Sequence, residues 1–268
     1  MFRMLACDID HTILPPGGSV SAEDIATFRE LQARGVTVVL ASGRATASTR
    51  AIMESIFNSE RPEYLISYNG ARIDSLPDEE TLFASNLAPD LVREIGAWCR
   101  KNGVTLQGYA GREILVESEN EYVRPYSIAS GMKYRVVPEI AEAVTPAGGT
   151  PKLVCHDRRE RLPHHIETLR KLARQRWAVV TSIPYFVELL APGTNKGSAL
   201  RRLANYLGYS TDEVIAFGDN LNDMEMIRDA GTGVAVANAV PELKEIADWV
   251  TTRSARESAL TEVAERFF

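Results

Sequence analysis

CDIDHTIL, residues 7–14, closes a short apolar run, Met4-Leu5-Ala6-Cys7, with two carboxylates two positions apart, Asp8 and Asp10. Along an extended chain, residues i and i+2 point to the same side. Carboxylates so placed repel, and burial raises the proton affinity of at least one. Such a pair suits a bound cation, or a division of labour in which one carboxylate attacks and the other handles protons. It equally suits an Asp-rich turn capping a helix, with Thr12 as the capping hydroxyl.

A second acidic cluster far along the chain changes the weighting. GDNLND, residues 218–223, follows Val214-Ile215-Ala216-Phe217, another apolar run that reads as a buried parallel strand. Asp219, Asn222 and Asp223 then sit at a strand's carboxyl end, the edge where open α/β sheets bind ligands. An Asp- and Asn-rich helix start is the plainer reading of this cluster alone. Two such clusters on one edge make an oxygen-lined site for a hard cation, with Mg²⁺ the natural choice.

The rest of the chain supplies the frame. Ser21 is the expected N-cap of a helix whose apolar face is Ile25, Phe28 and Leu31 and whose end is Gly35. Val36–Leu40 reads as a buried strand running into Ala41-Ser42-Gly43-Arg44, and Tyr64–Ser67 as another, ending at the turn signal Asn69-Gly70. This alternation implies a doubly wound parallel sheet, an α/β core. Around Leu82 the rhythm changes. Helical patterns at 91–103 and 162–175 and strand patterns near 104–109, 113–117 and 152–156 imply an inserted α+β domain. From about residue 185 the parallel pattern resumes, through a helix at 196–207, a strand at 213–217 and a helix at 223–230. The expected division is a core of residues 1–81 and 185–268, interrupted by a cap of residues 82–184.

Composition bounds the function. The 268 residues are 45% hydrophobic and 25% charged, with a formal net charge of −6, which argues against nucleic acid as a general partner. Residues 82–184 hold 15 Lys+Arg and 11 Asp+Glu, a net +4, whereas the remainder holds 15 and 25, a net −10. An acidic body suits a cation, and a basic insertion suits an anionic substrate. No stretch approaches the ~20 apolar residues that span a bilayer, and no signal-like segment opens the chain, so no membrane partner is expected. Cys7, Cys99 and Cys155 lack metal-ligand spacing and read as small buried hydrophobes of a reducing cytoplasm. Oligomeric state is not legible. GTNKGS at 193–198 lacks P-loop spacing, no G-x-S-x-G elbow occurs, and His156, His164 and His165 lack zinc-ligand spacing.

Two further groups carry chemistry. Ser42 offers a hydroxyl and, with Gly43, backbone N–H donors suited to a phosphoryl oxygen, or it caps a helix. Lys196 opens a helix where its ammonium would hold a phosphate among carboxylates, or is simply solvated. In order, DIDHTIL, Ser42 in ASGR, Lys196 and GDNLND resemble the four motifs of the haloacid dehalogenase superfamily of phosphatases. The size of the insertion resembles its Cof-type branch. Asn69-Gly70-Ala71, the KGSAL segment 196–200 and GVAVANA at 233–239 add to the likeness.

The resemblance implies a Mg²⁺-dependent phosphatase acting on a small phosphorylated metabolite through an aspartyl-phosphate. Asp8 would be the nucleophile and Asp10 the acid and base. Asp8, the Asp10 carbonyl and Asp219 would hold Mg²⁺, while Asn222 and Asp223 would orient its waters and Lys196. Ser42, Gly43, Lys196 and Thr12 would serve the phosphoryl oxygens and the Asp8–Asp10 loop. Substrate contacts are expected from His11, Arg44 and Asn69, and from Arg124, Tyr126, Lys133 and Lys152 in the cap. The family's usual glycine after the second aspartate is His11 here, which bears on substrate scope. A phosphotransferase or mutase on the same scaffold, or a non-catalytic binder of phosphorylated ligands, are the alternatives.

Overall fold

The computed structural model describes residues 1–57, 63–181 and 186–268, and the expected return to the core near residue 185 lies outside them. The chain divides into two compact units, residues 1–83 with 195–268, and residues 84–194. In chain order the first unit begins with β1 (Met4–Cys7), α1 (Ala22–Ala33), β2 (Thr37–Ala41), α2 (Thr46–Ile56), β3 (Glu63–Ser67), β4 (Arg72–Leu76) and β5 (Thr81–Ala84). The second unit holds α3 (Pro89–Asn102), β6 (Thr105–Ala110), β7 (Glu113–Val116), α4 (Val123–Ser130), β8 (Lys133–Val136) and α5 (Ile140–Val144). It continues with β9 (Leu153–His156), α6 (Leu162–Ala173), β10 (Ala178–Val180) and β11 (Phe186–Leu190). The chain then returns through α7 (Lys196–Tyr206), β12 (Val214–Gly218), α8 (Met224–Asp229), β13 (Thr232–Ala235), α9 (Pro241–Ile246), β14 (Trp249–Val250) and α10 (Ala259–Phe267).

Among the described residues the first unit's sheet runs β14-β13-β12-β1-β2-β3-β4-β5. It is parallel from β14 through β3, and β4 turns antiparallel against β3. The doubly wound α/β expectation holds. β1 is buried along its whole length because helices cover both faces of a parallel sheet, which is why MLAC carries no polar alternation. The order reverses at β1: the chain builds outward through β2 and β3, then returns to β1's other side with β12. Such a reversal opens a crevice beyond the strands' carboxyl ends. Met4 pairs with both Thr37 and Val214, so the residues following β1, β2 and β12 emerge at one edge.

Local signals account for the helices that frame this edge. Ser21 caps α1 by accepting from the Asp24 N–H. Asn195 caps α7 by accepting from the Ser198 N–H at 2.7 Å, while the Ser198 hydroxyl lies 3.2 Å from the Asn195 nitrogen, closing a reciprocal box.

In the second unit the sheet runs β10-β11-β9-β6-β7-β8, antiparallel but for the β7–β8 pair. Leu106, Leu115, Leu153, Cys155, Val187 and Leu189 share one apolar cluster with residues of α3, α5 and α6. The described strand β11 belongs to this sheet, so the second unit continues past residue 185. Among the described residues no helix is long and apolar enough to cross a membrane.

Candidate active site

Asp8 is the first residue beyond β1, and its backbone N–H donates to Phe217 O at 2.8 Å, continuing the pairing with β12. Its side chain is buried and fully engaged. Oδ1 accepts from Lys196 Nζ at 2.5 Å and Oδ2 from the Thr12 hydroxyl at 2.9 Å. Thr12 Oγ1 also lies 3.4 Å from Asp219 Oδ1, so the two acidic segments meet around one hydroxyl. Lys196 reaches a second carboxylate, Asp223 Oδ1, at 2.7 Å. Asp223 Oδ2 in turn accepts from the N–H groups of Asp219 (3.0 Å) and Asn220 (3.1 Å). Gly218 permits this fold-back, because a Cβ there would lie 2.7 Å from the Asp223 carboxyl carbon.

The electrostatics follow from burial. Lys196 is 0% exposed and Asp223 0%, with Asp8 at 4%. Burial pushes the Asp8 carboxyl up to about 7, Asp223 adding to the rise and Lys196 opposing it. Burial pushes Asp219 higher still, to about 9, with repulsion from Asp8 and Asp223 behind it. Burial alone would lower the proton affinity of Lys196, but Asp223 and Asp8 outweigh it and hold the ammonium above its ordinary value. One ammonium thus faces three buried carboxylates.

That imbalance bears on the expected metal. Asp8, Asp219 and Asp223 bring carboxylate oxygens within 4.8 Å of one another, all three residues buried. An all-oxygen, charge-excess donor set fits a hard divalent cation. Both Asp223 oxygens are taken up, by Lys196 and by the backbone N–H groups of Asp219 and Asn220, as both Asp8 oxygens are by Lys196 and Thr12.

Asp10 lies apart from that cluster. Its carboxylate is gripped at both oxygens by Arg44, Nη2 to Oδ1 at 2.6 Å and Nε to Oδ2 at 2.7 Å. Arg44 follows β2 in the Ser42-Gly43-Arg44 loop, where its N–H donates to Ser42 Oγ at 3.1 Å. Its Nη1 donates to Ser48 Oγ at 3.2 Å. Ser42 does not cap α2, which starts at Thr46 with Ala45 as its cap. Gly43 lies against Asn69, whose Oδ1 would be 2.9 Å from a Cβ at that position. Asn69 Oδ1 accepts from Asn222 Nδ2 at 3.0 Å, tying the loop after β3 to the loop after β12. His11 is exposed, at the tip of the turn after Asp10.

Sequence reasoning passed over two residues of this neighbourhood. Asn238 donates from Nδ2 to the His11 carbonyl at 2.8 Å, and Ser48 braces Arg44. GVAVANA, which contains Asn238, was the available signal for the first; nothing in the sequence marked the second. Of the residues named in the insertion, Arg124 and Lys133 are exposed. The Tyr126 hydroxyl pairs with Tyr109 Oη at 2.8 Å. Lys152 is 1% exposed and donates to Glu188 at 2.5 Å, an ion pair inside the insertion's own sheet.

Residues 5–263 match the family described as haloacid dehalogenase-like hydrolase. The chain belongs to this family. "Putative phosphatase YxeH" of Bacillus subtilis (strain 168) is 30% identical to this family member over 255 residues, spanning 94% of this chain and 93% of the relative. A haloacid dehalogenase-like hydrolase from Bacteroides thetaiotaomicron superposes with a TM-score of 0.92 at 28% identity, over 100% of both chains. TM0651 from Thermotoga maritima gives a TM-score of 0.88 at 32% identity, over 100% of this chain and 98% of its own. The carboxylate cluster at the sheet edge is thus the candidate site of a hydrolase.

Proposed function

We propose that this hydrolase is a Mg²⁺-dependent phosphomonoesterase that acts on a small phosphorylated metabolite through an aspartyl-phosphate on Asp8. The observation that carries the reading is the grip on Asp8. An ammonium at 2.5 Å and a hydroxyl at 2.9 Å fix a buried carboxylate at the crevice of the sheet, beside a second carboxylate, Asp219. A carboxylate so held is oriented for attack, and the Lys196 ammonium favours the charged form that attack requires. The phosphatase naming of the Bacillus subtilis relative points the same way.

In the first step an Asp8 oxygen bonds to phosphorus and the bond from phosphorus to the ester oxygen breaks. The departing oxygen takes its electron pair and a proton from Asp10. In the second step water bonds to phosphorus, the Asp8–phosphorus bond breaks, and Asp10 takes the water's proton. Ester and water become alcohol and phosphate, and both carboxyl groups return to their starting forms. Asp8 and Asp219 would hold Mg²⁺, whose charge screens the approach of a carboxylate to a phosphate. Lys196 serves both ends: it holds Asp8 in place and offsets part of the cluster's charge. Ser42, with the backbone beside Gly43, is the assigned partner of the transferring oxygens.

The test is phosphate release from a panel of phosphorylated metabolites, in Mg²⁺ or in EDTA, for the wild type and Asp8→Asn. Metal-dependent release, falling by roughly 10³-fold or more in Asp8→Asn, is the expected result. Release unchanged by the substitution would remove Asp8 from the mechanism.

A further inference from the structure

We propose that Asn69 is a positioning residue that holds the phosphate-binding loop after β2 at a fixed place relative to the loop after β12. The inference rests on the phosphatase reading given above. Asn69, expected from the sequence to touch substrate, acts instead on the site's own loops.

The backbone gives the first reason. Tyr68, Asn69 and Gly70, which follow β3, all take left-handed conformations, with φ 52°, 53° and 96°. Only glycine, and at times asparagine, visits this region readily, and then as single residues. A run of three persists only where its surroundings over-determine it, and such strain collects at functional sites. The surroundings here are three other loops of the site. The Tyr68 N–H donates to Arg44 O at 2.8 Å and the Asn69 N–H to Ser42 O at 3.0 Å. Gly70 lies against the Asn195 carbonyl, where the helix that opens with Lys196 begins. The Asn69 side chain reaches the remaining loop, accepting from Asn222 Nδ2 at 3.0 Å.

The side chain gives the second reason. Asn69 is 2% exposed, and its carboxamide fills the gap between Asn222 and Gly43. A Cβ on Gly43 would lie 2.9 Å from Asn69 Oδ1 and 3.1 Å from Nδ2, so only glycine leaves room for it. A carboxamide so enclosed presents little surface to a substrate but sets the spacing of two loops. The backbone contact adds to this. A trans peptide is planar, with its C=O and N–H pointing opposite ways. The hold on Ser42 O therefore also sets the direction of the Gly43 N–H, beside which the phosphoryl oxygens are assigned.

Replacement by glycine separates this role from one in folding alone. Asn69→Gly keeps the left-handed turn without strain and removes only the carboxamide. The expected melting temperature is within about 4 °C of wild type, the shift that one lost hydrogen bond gives. The expected kcat/KM is lower by on the order of 10–10²-fold, as for reacting groups misplaced by about 1 Å. The factor should be the same for every phosphate ester that the wild type hydrolyses, because the phosphoryl group is their shared part. Orthovanadate, which mimics the five-coordinate phosphoryl group of the transition state, should bind Asn69→Gly more weakly by a similar factor. Inhibition reads that binding, and so does the rise in melting temperature that vanadate gives in Mg²⁺. Ser21→Ala, which removes the α1 cap, costs comparable stability and should leave kcat/KM and vanadate affinity unchanged. A strut fails once, whichever end lets go, so Asn69→Gly/Asn222→Ala should be no slower than the slower single variant.

The proposal is overturned if Asn69→Gly keeps wild-type kcat/KM and vanadate affinity, since the residue then serves only the turn. A loss that differs from ester to ester while vanadate affinity stays intact also overturns it, being the pattern of a contact to the leaving group. So do effects of Asn69→Gly and Asn222→Ala that multiply. A wild type that neither hydrolyses a phosphate ester nor binds vanadate in Mg²⁺ removes the phosphatase reading, and this proposal with it.

Discussion

His11 holds a left-handed backbone conformation, φ 63°, at the tip of the turn that carries both aspartates. A glycine would adopt it freely, whereas a side chain costs roughly 1–2 kcal/mol. The turn is closed on both sides: the His11 N–H donates to Leu14 O at 2.8 Å and its carbonyl accepts from Asn238. Asn238 also accepts the Ala255 N–H at 2.9 Å, so one side chain ties the Asp8–Asp10 loop to the C-terminal segment. Asn238→Ala is expected to lower stability by about 1–2 kcal/mol, as two hydrogen bonds are lost at an exposed site, and to slow phosphate release; urea unfolding alongside a rate assay would read both. His156 makes a different prediction. It is buried against Tyr122, Tyr126 and Phe186, and both ring nitrogens lack partners among the described residues. Burial, with the Lys152 ammonium adding to it, pushes its pKa down to about 3. The unfolded chain takes up this proton below about 6.5 and the folded chain does not, so stability is lost as pH falls from about 6.5 toward 3. At pH ~4.5 the loss from this group is about 2–3 kcal/mol relative to pH ~7. His156→Phe should be spared that part of the acid destabilisation, as denaturant midpoints at the two pH values would reveal.

At the scale of elements, α7 delivers Lys196 because its start is fixed. The Asn195 box sets the first turn, and Gly70, at φ 96°, lies so close to the Asn195 carbonyl that any side chain there would collide. Asn195→Ala should cost about 1 kcal/mol of stability. It should lower kcat more than a substitution of the same cost on the exposed face of α7, which a pair of unfolding and rate measurements would show. Elements also decide what the sequence made legible. β1, β2 and β12 are apolar runs ended by polar clusters, and both their strand character and their shared edge could be read from that pattern. β8, Lys133–Val136, is an edge strand with mostly exposed residues and no apolar alternation, and α2 opens with Thr46-Ala47-Ser48-Thr49 behind Ala45, with no side-chain cap to mark its start. The carboxylates, Ser42 and Lys196 were legible because their motifs are local. The Arg44 fork joins residues 34 positions apart, and only tertiary structure discloses which carboxylate an arginine meets. Lys152 illustrates the reverse. It was named as a substrate contact from its charge, whereas its ammonium is paired with Glu188 across β9 and β11.

For the whole molecule, the buried carboxylates link stability to pH and to metal. With Asp8 at about 7 and Asp219 at about 9, both lie above the ordinary carboxylate value of 3.8. Their folded forms hold protons that the unfolded chain has released, so the metal-free protein loses stability as pH rises from about 4 through 7 to 9. A divalent cation competes with those protons, and its stabilisation should grow over the same range. At a hundredfold excess over Kd it should reach about 2–3 kcal/mol. Melting curves with and without Mg²⁺ at pH ~6 and ~9 would show the gap widening; an equal gap at both would remove Asp8 and Asp219 as ligands.

The register that pairs Met4 with Val214 has a consequence for synthesis. On a ribosome, β12 emerges some 210 residues after its neighbour β1, about 10–40 s later at 5–20 residues per second. Until then one side of the innermost strand is an open edge of unpaired backbone groups, a template for association with other chains. The arrangement that gathers Asp8 and Asp219 at one crevice therefore also makes the nascent chain wait, with its central strand half-paired, until β12 has been made.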